Sequence, residues 1–435
     1  MARRSPVEFH NYWGTANPVT SVPWQYAPTG NLPNQTAFPT YQTPNLQAGD
    51  FLYVPDPGPG VSNGQFYVCQ DPGLPAQANA VWVPVGQDKF APKILVGNIP
   101  AGDSSQDYDA SGFTYFADTG SGNGIQAAFA LVATLGFPVD IHIRPGTYDL
   151  SVPYSGGPIG TLTVPAECLV SGAGPGTRIV ADGSVGANPN ALTLSYGSTL
   201  RDLSVTLNDD GDSASSAVVT VGDGTISTVR VENVTAVITR GINSTSSVQS
   251  VYSVSSGTTA FFFGCDVSIT GTRAPESLGD SLCGWVNADV TTLTNCTTVG
   301  GDAAVLFSSF TSMSGCRFRD FSSVGVFSSG LGYLTASNCY LGSAVSGVYG
   351  IYLGPLSTIA CANSQVSMTD AQASTGIYSA GLQGQIVGNQ VYAGGVCIDT
   401  SAGSNHAIGF NLLTSVANTQ LSTSGTDEVA HNILL

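Results

Sequence analysis

The sequence predicts an all-β chain built mainly as a parallel β-solenoid, with one helix ahead of the stack. Three observations carry that reading. Short segments ending in Cys or Asn recur mostly every 20 to 26 residues through the C-terminal half. Helical periodicity disappears once the single helical pattern near residue 130 has passed. Charged residues make up 9% of the chain, against roughly 25% in an ordinary globular domain.

The rest of the composition narrows the function. There are 53 glycines among long Ser, Thr, Val and Ala runs, and the apolar fraction of 42% is ample for a core. The net charge is −17, and only Lys89 and Lys93 are lysines. A nucleic-acid binder needs a basic stripe to displace counterions, and none exists, so no nucleic-acid partner is expected. No run of 18 apolar residues exists, so no membrane insertion is expected. The nine cysteines lack metal-ligand spacing, so neither a metal nor a cofactor is expected. An odd count argues against a complete disulfide framework. Reduced, buried thiols and folding in a reducing cytoplasm are expected instead. The start MARRSPVEFHNYWG has no apolar h-region of a secretory signal.

Residues 1–45 show neither strand nor helix period, yet carry Trp13, Trp24, Tyr26 and Phe38. Large aromatics are costly to leave in water. The segment reads either as a floppy tail or as an extended arm that orders on a partner, with those four residues as anchors. Residues 46–92 hold DFLYVPD, GQFYVCQD and AVWVPVGQ, separated by Gly/Pro turns, and read as a small β module. Residues 93–122 read as a polar linker with short strands. From 123 the pattern turns helical: Asn123 is the expected N-cap, Ile125, Ala128, Phe129 and Val132 share a face, and Gly136 stops it. The solenoid then runs to residue 435.

The repeat reads FFGC (262–265), LTNC (293–296), MSGC (313–316), ASNC (336–339), ACAN (360–363), IVGN (386–389), IGFN (408–411) and VAHN (429–432). An apolar residue usually follows two positions later: Val267, Phe318, Leu341, Val391, Leu413 and Leu434. No single coil can bury its own apolar face, so coils stack about 4.8 Å apart and equivalent residues form ladders. About 12 coils fit after residue 140 at this period. In MSGCRFRDF (313–321), alternation sends Cys316 and Phe318 inward and Arg317 and Arg319 outward.

The stretch GNGIQAAFALVATLGFPVDIHIRPGTYDL, with SGAGPGT after it, resembles the start of pectate-lyase-like right-handed parallel β-helices. The residues that carry the likeness are Gly124 to Ala128, Pro145 to Tyr148 and Gly172 to Gly176. The likeness covers roughly residues 120–435. It implies a right-handed β-helix with an N-terminal capping helix. The superfamily holds polysaccharide lyases, glycoside hydrolases and bacteriophage tailspike, head-spike and decoration proteins. An aromatic arm and small β module ahead of the helix look like the phage arrangement. That implies a homotrimer on the virion surface, anchored on a major capsid or tail protein, with host surface polysaccharide as a further partner.

Chemistry is sparsely encoded. A lyase of this kind needs a base such as Arg or Lys, and no lysine lies beyond residue 93. A hydrolase needs two carboxyl groups about 5–9.5 Å apart. LNDDGD (207–212) reads as a turn loop. TRAPESLGD (272–280) falls in the one long step of 31 residues and reads as a contact loop before a catalytic one. The candidate glycan or subunit contacts are Arg273, Glu276, Asp280, Asp302, Arg317, Arg319 and Asp320. No catalytic residue is assigned. His142, His406 and His431 lack ligand spacing and read as structural. The chain stops inside a recognisable rung, so a cap from a trimer partner or another protein is expected. The reading is a virion decoration, spike or fibre protein rather than an enzyme. The alternative is a tailspike polysaccharide depolymerase, which needs a carboxylate pair in one groove.

Overall fold

The structure, a computed structural model, describes residues 51–54, 65–71, 81–85, 93–98, 114–135, 138–151, 160–182, 190–209, 215–224, 226–240, 248–270, 282–328, 330–369, 373–417 and 419–435. The chain divides into two compact units, residues 1–95 with 99–115, and residues 96–98 with 116–435. The first contains an antiparallel meander of Phe51–Val54, Gln65–Asp71 and Val81–Val85, with a bulge between Cys69 and Asp71. The arm residues Trp13, Trp24, Tyr26 and Phe38 lie outside the described residues.

The second unit opens with helix Asn123–Leu135. Ile125, Ala128, Phe129 and Val132 are buried, as their spacing predicts. The cap differs from the expectation. The Asp118 carboxylate accepts the N–H groups of Gly120, Ser121 and Gly122 on one oxygen and of Gly124 and Ile125 on the other. It satisfies orphan donors and places negative charge at the positive end of the helix. Asn123 Oδ1 is buried without a hydrogen-bond partner. Glycines 120, 122 and 124 let the chain wrap close around Asp118, so a residue five positions upstream takes the role.

Beyond the helix the chain winds through three parallel sheets in turn. Sheet 1 runs from Gly146–Asp149 to Ile433–Leu434, sheet 2 from Leu162–Val164 to Thr419–Ser422, and sheet 3 from Asp140–Ile143 to Glu428–Ala430. Arg144 N–H donates to the Val96 carbonyl and Asp118 N–H to that of Gly97, which ties residues 96–98 into the stack. The architecture is a right-handed parallel β-helix, the hand expected of crossovers between parallel strands.

Inward positions stack in register. On sheet 3 the row includes Val231, Phe262, Leu293, Met313, Ala336, Cys361 and Ile386. On sheet 1 it includes Val267, Thr298, Phe318, Leu341, Val366, Val391 and Leu413. Tyr252, Phe262, Trp285 and Phe318 fill the middle coils with ring centroids 4.9–6.2 Å apart.

Each passage from sheet 3 to sheet 1 is a sharp corner. One residue takes positive φ, and the next turns inward. The corner residues include Asn233, Gly264, Asn295, Gly315, Asn338, Asn363, Gly388, Phe410 and His431. Gly and Asn adopt this conformation at least cost. The inward row is Val234, Cys265, Cys296, Cys316, Cys339, Ser364, Asn389 and Asn411, all buried. The Cys/Asn repeat is therefore a real ladder, with one register correction. Ser364, not Asn363, fills the slot, and Asn363 forms the corner before it. All eight cysteines with described side chains are free and buried.

Candidate functional site

The candidate face is built on strand Arg317–Arg319. Phe318 is fully buried and its ring lies 5.8 Å from that of Trp285. That anchor fixes the alternation, so Arg317 and Arg319 both stand exposed on the outside of sheet 1. Asp320 follows at the corner with φ 59°, exposed, its N–H donated to the Gly342 carbonyl at 2.9 Å. Among the described residues neither arginine forms an ion pair.

The rows on either side are uncharged near the arginines. Thr297 and Val299 precede them in register, and Tyr340 and Gly342 follow. Gln365 and Ser367 come next, then Gln390 and Tyr392. Asp266 lies two coils before Arg317 in the same row, and its carboxylate accepts the Thr297 hydroxyl at 2.6 Å. Tyr340 does not stand upright. A Cβ added to Gly342 would lie 2.6 Å from the Tyr340 hydroxyl and 2.9 Å from two ring carbons, so the ring lies across the glycine.

The other candidates fall elsewhere. Arg273, Glu276 and Asp280 lie outside the described residues. Asp302 is only 3% exposed and is not a surface contact. Its carboxylate accepts the Leu282 N–H at 2.9 Å and the Ser322 hydroxyl at 2.6 Å. Gly300 and Gly301, with φ near 84°, turn the chain so that this side chain points inward. The same habit recurs. Asp289 accepts the Gly257 N–H at 2.8 Å. Asp427 accepts Thr400 Oγ1, Ser424 N–H and His406 N–H at 2.7–2.9 Å.

Sequence reasoning missed one constellation. Ser379 Oγ lies 3.0 Å from His406 Nε2, and His406 Nδ1 lies 3.2 Å from Asp427 Oδ1. The order resembles a nucleophile relay. Ser379 and His406 are buried at 0% and 1% exposure, and Gly381 N–H also points at the hydroxyl. A hydroxyl with no path to substrate is no nucleophile, so these residues clamp three successive coils. The residues lie 27 and 21 apart, near the repeat length, and that spacing was the available signal. Desolvation pushes the Asp427 carboxyl up, but hydrogen bonds from Thr400, His406 and Ser424 outweigh it and hold it at about 2. Burial, then Arg144 and Arg201, lowers the His142 pKa. His142 Nδ1 meets Ser171 Oγ at 3.1 Å.

Two further features stand out. On sheet 2, Cys283, Ala303, Val324 and Phe327 form a buried apolar cluster, with the partly buried Val286, Leu306, Tyr349 and Tyr352 packed against it. Phe327, Tyr352 and Tyr378 stack on successive coils with centroids 5.3 and 4.7 Å apart. A pocket of about 530 Å³ lies beside the capping helix, lined by Phe129, Val132, Leu162, Pro165, Glu167 and Tyr196 among others. Among the described residues no group of three His, Cys, Asp or Glu is placed to hold a metal.

No protein-family model and no curated protein matches the sequence. Among solved structures, pectate lyase Pel9A is similar at 16% identity and TM-score 0.44, with 78% of each chain covered. PfbA, a surface adhesin of Streptococcus pneumoniae, is similar at 12% identity and TM-score 0.35, covering 73% of this chain and 88% of that one. Tailspike protein 3 of bacteriophage CBA120 is similar at 14% identity and TM-score 0.35, covering 72% of this chain and 59% of that one. The fold assignment rests on the three registered sheets themselves: the chain is a right-handed parallel β-helix protein.

Proposed function

We propose that this chain is a structural protein of a bacteriophage particle, a decoration protein or a spike, that displays its β-helix as a homotrimer and adheres to surface glycans. The observation that carries the structural side of the reading is the use made of its carboxylates. Asp118, Asp289, Asp302 and Asp427 all accept backbone N–H groups. A glycoside hydrolase needs two carboxyl groups facing a sugar across a groove. Carboxylates locked onto backbone donors do not serve that purpose. The half-buried Tyr352 and Tyr378 rings, stacked on successive coils, support trimerisation, because a neighbouring copy would cover their open faces.

The test is the copy number of the chain in purified particles, by quantitative mass spectrometry against the major capsid protein. A ratio near one per few capsid subunits supports decoration, and a handful per particle supports a spike. Absence from particles overturns the reading. Shortening of host polysaccharide by the purified chain would move it to the depolymerase class.

A further inference from the structure

We propose that Arg317, Arg319 and Tyr340 form a binding platform for an anionic saccharide on the outside of sheet 1. The proposal rests on the glycan-adhesion part of the reading above and gives it a place and a ligand class.

The charge comes first. The chain has 12 basic residues against 29 acidic ones. Two of those 12 stand two residues apart on one strand face, about 7 Å from each other along the strand. Both are exposed, and neither is neutralised by a carboxylate among the described residues. Planar guanidinium groups take carboxylate and phosphate oxygens in paired hydrogen bonds. Of the nearby acids, Asp320 sits beyond the strand end at the corner, and Asp266 is engaged by Thr297. Two arginines are far too few for a nucleic-acid backbone.

Shape comes second. The coil after the arginines presents the Tyr340 ring lying across Gly342. An aromatic face laid along a sheet offers a flat apolar surface with a polar tip. The C–H face of a pyranose can rest there while its acidic substituent reaches back to the arginines. Gln365, Ser367 and Gln390 on the next two coils supply uncharged donors and acceptors suited to hydroxyls. All these groups sit on strands about 4.8 Å apart, so the platform is ordered before the ligand arrives.

Gly342 makes the proposal testable. The three atoms nearest a methyl there all belong to the far end of the Tyr340 side chain, which can swing away, and the glycine does not have positive φ. Gly342→Ala therefore displaces the ring and leaves both arginines and the fold in place. The experiment is calorimetric titration of the full chain with three probes: a hyaluronan octasaccharide, a phosphorylated maltoheptaose and neutral maltoheptaose. At least one acidic probe should bind and the neutral one should not, and which acid binds identifies carboxylate or phosphate as the ligand group. Arg317→Gln with Arg319→Gln should weaken that binding about tenfold or more, and added salt should weaken it in the wild type. Gly342→Ala should weaken it about threefold to tenfold at an unchanged melting temperature. Failure of both acidic probes to bind, equal binding of maltoheptaose, or unchanged binding in both variants would overturn the platform. None of these outcomes bears on copy number in particles, which tests the virion reading separately.

Discussion

Asn411 joins two coils at a single atom. Its Oδ1 accepts both the backbone N–H of Asn389, at 2.9 Å, and the side-chain amide of Asn389, at 3.1 Å. Asn432 repeats the arrangement on Asn411 at 3.0 Å for each bond. Each amide also donates backwards, Asn389 to the Cys361 carbonyl and Asn411 to that of Ile386. A buried polar row is stable only when every member is satisfied, and this one is.

Removing one member should therefore be costly. Asn411→Ala strips the buried backbone N–H and one side-chain N–H of Asn389 of their shared acceptor. Each orphaned group costs about 1–3 kcal/mol, so the two together should cost about 2–6 kcal/mol of stability. Guanidinium unfolding followed by circular dichroism measures it. A loss near zero would mean that water or a neighbour replaces the amide.

The ladder was legible because its corner demands something rare in sequence, a residue tolerant of positive φ followed by a small inward-facing one. The slip at ACANS has the same origin. Asn suits both the corner and the slot, so Asn363 and Ser364 could not be told apart until Val366 was seen to stack on Leu341. Alternation around Phe318 was equally readable, and it placed both arginines correctly on the outside. The inward turn of Asp302 was not readable. Its partner, Leu282, is 20 residues away and belongs to the preceding coil. The Asp118 cap was hidden for a related reason, because three glycines bring a distant carboxylate within reach of the helix start.

Asp302 now carries a stability prediction in place of a contact role. Asp302→Ala leaves the buried Leu282 N–H and the Ser322 hydroxyl without their acceptor. A loss of about 2–3 kcal/mol is expected in guanidinium unfolding. Binding to any glycan, measured per folded molecule, should stay at the wild-type level. Normal stability with abolished polysaccharide cleavage would instead make the carboxylate catalytic.

Asp427 predicts an acid-sensitive clamp. Its folded pKa is about 2, against an ordinary 3.8. A depressed carboxylate contributes stability that is fully present above the ordinary value and is lost as pH falls through the folded one. The Thr400, His406 and Ser424 contacts should therefore weaken between about pH 4 and pH 2. Melting temperatures across that window should fall more steeply for the wild type than for Asp427→Asn, which has no proton to take up. Parallel curves would remove Asp427 from the acid response.

The thiols should be chemically silent in the folded chain. The neighbouring Cys296 thiol and then burial push Cys316 up to about 12. Burial pushes Cys361 to about 12 and Cys397 to about 11. The thiolate is the reactive form, and at pH 8 it would amount to about one part in a thousand or less for such groups. Access is a second barrier, since Cys265, Cys283, Cys296, Cys316 and Cys397 are at 0% exposure. Of nine cysteines, eight are free and buried, and only Cys69 lies where the side chain is not described. A colorimetric disulfide reagent at pH 8 should therefore label no more than one thiol per chain promptly. The rest should react only as the coils open, at the unfolding rate seen by circular dichroism in the same guanidinium concentration. Prompt labelling of several thiols would show that coils open locally without global unfolding, and would place the Cys ladder at the least stable part of the stack.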